Sequence, residues 1–139
     1  MFTGIQAAGK STFFRERFFD THVRVNLDML RTRHRERVLF EACLVAKQAV
    51  VVDNTNLTRA ARAAYIQPAR EAGFGIVGYY FRSVVAESLA RNGARERQVP
   101  ERGVLGAAGR LEIPEPAEGF DALYFVRIEE GFVVEPWRG

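Results

Sequence analysis

Gly4 and Gly9 stand five apart and run directly into Lys10 and Ser11, so GIQAAGKST at residues 4–12 fits the spacing G-x-x-x-x-G-K-[ST]. A loop of this kind turns successive backbone N–H groups toward phosphate oxygens, and the helix behind it presents its positive end to the same anion. Gly4 and Gly9 supply permissive dihedrals, Ile5, Gln6, Ala7 and Ala8 supply backbone amides, and Thr12 carries the loop into the helix. Lys10 would reach the outer phosphates as a point charge, and the Ser11 hydroxyl would ligate a magnesium ion between them. A chance glycine turn does not account for the lysine: Lys10 and Lys47 are the only lysines among 20 basic residues.

Three further clusters could complete a site. Asp28 and Arg31 in VNLDMLR, three apart on the expected first turn of a helix, can point at one spot. There the carboxylate accepts a proton from an attacking hydroxyl and the arginine holds a phosphate. As a simple helix cap, Asp28 would compete with Asn26. Asp53 ends the apolar run VVVDNTN, where an acid orients magnesium directly or through water. Asn54, Thr55 and Asn56 after it divide evenly between substrate contacts and turn chemistry. Arg91 and Arg95, four apart on one expected helical face, could close over an anion. Arg97 and Arg102, and Arg33, Arg35 and Arg37 with Glu36 and Glu41 offsetting their charge, read as solvated surface, and Phe13, Phe14, Phe18 and Phe19 read as core.

These residues need strands that deliver them to one edge. Apolar runs and breakers give a strand ending at Thr3, a helix over about 10–19, a strand at 22–26 and a helix over about 29–47. Next come a strand at 49–53, a helix over about 58–72 capped by Thr58, and a strand at 74–81. Helices over about 84–92 and 101–110 flank an arginine-rich turn and form a lid, and 123–128 with 132–134 around 129–131 reads as a hairpin or as a final strand with a tail. Alternation of this kind predicts a three-layer α/β fold: a central, mostly parallel sheet with helices on both faces and ligands at the carboxyl ends of the strands. Only three residues precede Gly4 where a central strand usually brings about five or six, so the first strand is expected to be truncated.

At 139 residues the chain reads as one domain, 1–139, with the lid at about 84–110. One cysteine, Cys43, and two histidines leave neither a disulfide framework nor a zinc site, and Cys43 reads as helix core. Without a long apolar run or leader pattern, a cytoplasmic protein with no membrane partner is expected. The net charge of +3 and pI near 9.4 suit a polyanion, but only weakly.

Four motifs in order, GIQAAGKST, NLDMLR, VVVDNTNL and RNGARERQVPERGVL, resemble the P-loop kinases of the 5′-hydroxyl polynucleotide kinase type, over nearly all the chain to about residue 111. The resemblance implies a kinase-type α/β sandwich with a helical lid. It implies ATP as donor, with Lys10 and Ser11 serving ATP and magnesium, where the loop alone would accept GTP equally. Asp28 would be the general base, Arg31 a contact to the substrate phosphate, Arg95 the lid arginine, and Asn54, Thr55 and Asn56 a signature beside the acceptor. The chain departs from that family's pattern at Gln6, Ala7 and Ala8, where proline and extra glycine or serine are common, and at Asn54, which is an acid in some members. A 5′ nucleic-acid end is the favoured acceptor. A small metabolite or RNA-attached group, a nucleotide-switched module that transfers nothing, and an inactive protein stay open.

Overall fold

The computed structural model describes residues 1–95 and 99–138, and Arg97 lies outside them. Among the described residues the elements run β1 (Phe2–Thr3), α1 (Lys10–Arg17), β2 (Val23–Val25), α2 (Leu27–Leu30), α3 (Arg33–Ala46), β3 (Val50–Val52), α4 (Arg59–Glu71), β4 (Val77–Phe81), α5 (Val85–Gly93), α6 (Glu101–Arg110), β5 (Ala122–Ile128) and β6 (Phe132–Pro136). The expected α/β architecture of mostly parallel strands is present, and so is the closing antiparallel hairpin, β5 with β6.

The backbone ladders differ from a single continuous sheet. β1, β4, β5 and β6 form one, and β2 with β3 forms another. The two meet where the short β1 passes the end of β3. There Gly4 N–H donates to the Thr55 carbonyl at 3.0 Å, and the Asn56 side-chain amide donates to the Phe2 carbonyl at 2.7 Å.

Phe2, Phe13 and Phe81 are 0–1% exposed and meet edge to face with centroids 5.1–5.7 Å apart. Phe2 precedes the glycine loop, Phe13 lies on the helix after it and Phe81 ends β4, so one aromatic cluster fixes the loop from both sides. Each buried ring contributes about 1.5–3 kcal/mol. Phe14 joins this core and Phe18 packs against it, but Phe19 is 68% exposed. The helix stops at Arg17, with Phe18 at φ −129°, so Phe19 leaves the helical repeat that predicted its burial. Cys43 is helix core, as expected.

The helix expected over 29–47 is two helices. Arg31 has φ +78° and ends α2, and the Thr32 hydroxyl then accepts Arg35 N–H at 3.1 Å to start α3. A threonine cap directly ahead of a long helix outweighs continuity through the junction.

Arg62 on α4 is wholly buried, with Nε and Nη2 on the Glu118 carboxylate at 2.7 and 3.1 Å and Nη1 on the Asn56 carbonyl at 2.9 Å. This fork ties α4 to the segment before β5 and to the turn after β3. Arg62→Met leaves Glu118 without its cation, so unfolding free energy is expected to fall by about 3 kcal/mol. A urea titration checks this; an unchanged midpoint would mean that Glu118 finds solvent in the folded state.

Candidate active site

The loop 4–9 spends its first two amides, those of Gly4 and Ile5, on anchoring its start, so Ile5 does not offer the free amide expected of it. Ile5 N–H donates to Ser83 Oγ at 3.2 Å, and Ser83 in turn donates to the Phe81 carbonyl at 2.8 Å, which anchors the loop's start to the end of β4. A Cβ on Gly4 would stand 3.0 Å from that of Phe81. Gly9 takes φ +100° at the N-terminus of α1, and Ala7, without glycine's freedom, takes φ +59°. Ala8 is buried, Gln6 half-buried, and Ser11 and Thr12 exposed on the first turn of α1.

Lys10 is only 9% exposed. Its ammonium donates to the Gly4 and Ile5 carbonyls at 2.9 and 2.7 Å. Burial lowers its pKa from 10.5 to about 8; Asp53 opposes the shift, Arg95 deepens it and Asp28 opposes it. Three residues singled out from the sequence therefore act on the loop lysine from one end of the molecule.

Asp53 is 1% exposed and its Oδ2 lies 3.5 Å from Ser11 Oγ. Both oxygens also meet a residue the sequence reading passed over. Arg24 Nε sits 2.8 Å from Asp53 Oδ2, and Arg24 Nη2 donates to Ser11 Oγ at 2.9 Å. The alternation of β2 was the available signal: Val25 is buried, so Arg24 between it and Val23 faces the other side. A hydroxyl and a carboxylate that already hold a cation suit magnesium, a hard ion that takes oxygen ligands.

Asp28 is exposed on α2 and does not cap it; Asn26 does, accepting Met29 N–H at 2.9 Å. Asn26 also donates to the Asp53 carbonyl at 2.5 Å, so the helix that carries Asp28 is pinned to the end of β3. Asn54 pins it again, accepting Leu27 N–H at 2.9 Å and donating to Glu36 Oε2 at 2.8 Å. Glu36, expected as surface charge, is 3% exposed, and its Oε1 accepts from Arg33 at 3.0 Å and from the Tyr65 hydroxyl. Burial and that carboxylate push the Tyr65 phenol up to about 12, so it stays a donor.

Arg31 is exposed past the end of α2, and the helical i,i+3 argument that paired it with Asp28 does not hold at φ +78°. Asn54 and Asn56 spend their amides on the scaffold, whereas no side-chain bond occupies Thr55 among the described residues. Thr55 lines, with Asn54, Arg33, Glu36, Arg37 and Arg110, a cleft of about 700 Å³ between α3 and α4.

On α5, Arg91 Nη1 donates to the Ala7 carbonyl at 3.1 Å. Arg95 is exposed beyond α5, which ends at Gly93, so the two arginines do not share a helical face as expected. The Asn92 side chain bonds both backbone groups of Val99, at 2.6 and 2.8 Å. Ile5, Val104 and Ala107 are fully buried together, which seats α6 on the glycine loop. Among the described residues no helix is long and apolar enough to cross a membrane.

Residues 1–114 match the family described as an AAA domain. The bifunctional polynucleotide phosphatase/kinase of Schizosaccharomyces pombe is 30% identical over 125 residues, an alignment that takes in 84% of this chain and 30% of that protein. The chain thus spans under a third of that relative's length. A gluconokinase from Sinorhizobium meliloti 1021 aligns structurally with a TM-score of 0.63 at 17% identity, over 89% of this chain and 79% of that one. Chaetomium thermophilum Kti12, solved with ADP-AlF3, gives 0.66 at 16% identity, over 92% and 88%. At these identities the two structures speak for the fold alone, an α/β P-loop fold.

Proposed function

The chain belongs to the AAA domain family, and from that premise we propose that it is an ATP-dependent kinase that transfers the γ-phosphoryl group to a hydroxyl, with the 5′-hydroxyl of a polynucleotide as acceptor. The observation that carries this is Asp28, an exposed carboxylate on a helix pinned by Asn26 and Asn54 and acting electrostatically on the buried loop lysine. A protein that only bound or slowly hydrolysed nucleotide would need no base directed at an acceptor.

In this reading the remaining loop amides, Lys10 and the N-terminal end of α1 hold the donor's phosphates. Asp28 takes the proton of the acceptor hydroxyl as its oxygen forms a bond to the γ-phosphorus. The bond from that phosphorus to the bridging oxygen breaks, and ADP leaves with the electron pair. Lys10, Arg91 and Arg95 balance the charge that gathers on the transferred group. Magnesium, held by Ser11 and Asp53, supplies further neutralisation of the phosphates when bound.

The cleft between α3 and α4 supports a polyanionic acceptor. Its lining sets Arg33, Arg37 and Arg110 against Glu36 and Glu41, with Arg33 paired to Glu36 at 3.0 Å, and the cationic excess that remains is one that a strand's phosphates would use and a neutral polyol would not. Arg31, at the junction before α3, is the nearest of the predicted phosphate contacts to Asp28 in the chain. The 30% identity to a polynucleotide phosphatase/kinase points the same way.

The test is transfer of labelled γ-phosphate from ATP, with magnesium, to 5′-hydroxyl RNA and DNA oligonucleotides and to a panel of sugars and other small alcohols. Labelled oligonucleotide is the expected product. Label on a small alcohol alone would keep the reaction and replace the acceptor, as the gluconokinase fold likeness allows. Release of inorganic phosphate with no labelled acceptor would overturn the kinase reading.

A further inference from the structure

The oxygens assigned to magnesium are bridged by a residue that none of the four motifs contains. Arg24 reaches across from the middle of β2, sets Nε on Asp53 Oδ2 at 2.8 Å and Nη2 on Ser11 Oγ at 2.9 Å, and lies 5.9 Å over the ring of Phe14. Its side chain is 25% exposed and that of Asp53 1%, so the carboxylate has left water and taken a guanidinium in return. Asp53 is held at the end of β3 by its own N–H on the Val25 carbonyl at 2.8 Å, next to Arg24 in the chain. Ser11 and Asp53 are therefore kept facing one another by a planar fork that spans both.

A divalent cation set between Ser11 Oγ and Asp53 Oδ2 would stand directly against the guanidinium that already holds both oxygens, and the two like charges repel. We propose that Arg24 is a resident competitor for the metal: it keeps Ser11 and Asp53 in register and must swing out, through its partly exposed side, before magnesium binds them. Release of Arg24 toward solvent puts a cation beside the glycine loop. Phosphates arriving there offer it a new partner, which couples entry of the metal to entry of the nucleotide. This inference rests on Ser11 and Asp53 being the magnesium oxygens; it does not depend on the identity of the acceptor.

Thermal unfolding of the full chain, titrated with magnesium chloride alone and with saturating ADP, tests it without any turnover. Arg24→Gln removes the competing charge, so the magnesium concentration at half-effect is expected to fall by about tenfold, the factor that corresponds to about 1.4 kcal/mol. The metal-free variant should also melt lower than the wild type, because Asp53 is buried without a cation, and recover more on adding magnesium. Arg24→Lys keeps a charge but loses the two-point fork, so its half-effect concentration should fall between the two. If Arg24→Gln does not fold, that comparison of lysine variant with wild type decides.

Equal magnesium midpoints in wild type and variants would overturn the proposal, as would a higher midpoint in Arg24→Gln, which would make Arg24 a helper of the metal. A wild type and variants alike insensitive to magnesium would remove both the metal assignment and the competitor. Loss of phosphate transfer to every acceptor, with the magnesium shifts intact, would remove the kinase reading and leave this one standing.

Discussion

Lys10→Ala is expected to lower phosphate transfer by about 10²–10³-fold, the usual cost of removing one preorganised charge from a phosphoryl-transfer site. The environment of this lysine gives the prediction a second, sharper part. Burial brings its pKa down from 10.5 to about 8. Because the folded value lies below the unfolded one, the unfavourable burial of the ammonium is present in full below pH 8 and is relieved as pH rises from about 8 to 10.5. Across that window the nucleotide-free protein gains stability from this group, by up to about 3 kcal/mol at 1.36 kcal/mol per unit. Nucleotide affinity should run the other way. A phosphate beside Lys10 favours the ammonium, so binding takes up a proton above pH 8, and affinity falls as pH rises through the same window. Calorimetric binding of ADP at about pH 9, in two buffers of different ionisation enthalpy, measures that proton uptake. The wild type should show it and Lys10→Ala should not. Equal proton uptake in both proteins would mean that some other group carries the effect.

Local signals located the glycine loop, the order of the elements, the closing hairpin and the Thr58 cap, whose hydroxyl accepts Ala61 N–H at 3.1 Å. Each of these is decided within a few residues of chain, which is why periodicity and turn chemistry suffice. The break at Arg31 was harder, because an arginine at φ +78° carries no signature of its own. The buried polar pairs that the sequence left unassigned are long-range. Arg24 meets Asp53 from 29 positions away, Tyr65 reaches Glu36 across 29 and Arg62 reaches Glu118 across 56. Composition treats such residues as surface charge, since charged side chains are rarely buried unless paired, and pairing partners emerge only when the sheet brings distant segments together. The same limit governs the site. The residue types at positions 10, 28 and 53 could be read directly; that Asn54 and Asn56 serve the scaffold, and that Arg24 bridges Ser11 and Asp53, required the strands to be assembled.

The substitution that best isolates chemistry from binding is Asp28→Asn. It keeps the shape of the side chain and removes the proton acceptor, so transfer is expected to fall by about 10²–10⁴-fold, the range for losing a positioned general base. Three features keep the loss from being structural. Asn26, not Asp28, caps α2 through Met29 N–H; Asn54 holds the first turn through Leu27 N–H; and Asp28 is exposed, with no hydrogen bond for the fold to lose among the described residues. The melting temperature should therefore stay close to that of the wild type. ADP affinity should hold or weaken slightly, because Asp28 raises the Lys10 pKa only as the last of three charge effects. The combination of unchanged stability, retained nucleotide binding and lost transfer separates a base from a helix cap, which would lower the melting temperature, and from a phosphate-site residue, which would weaken ADP. If Asp28→Asn transferred phosphate within about threefold of wild type, less than about 0.7 kcal/mol of barrier, Asp28 would not be the base. The proton would then have to pass to solvent, as it can in a transition state so dissociative that the attacking oxygen keeps its proton until late.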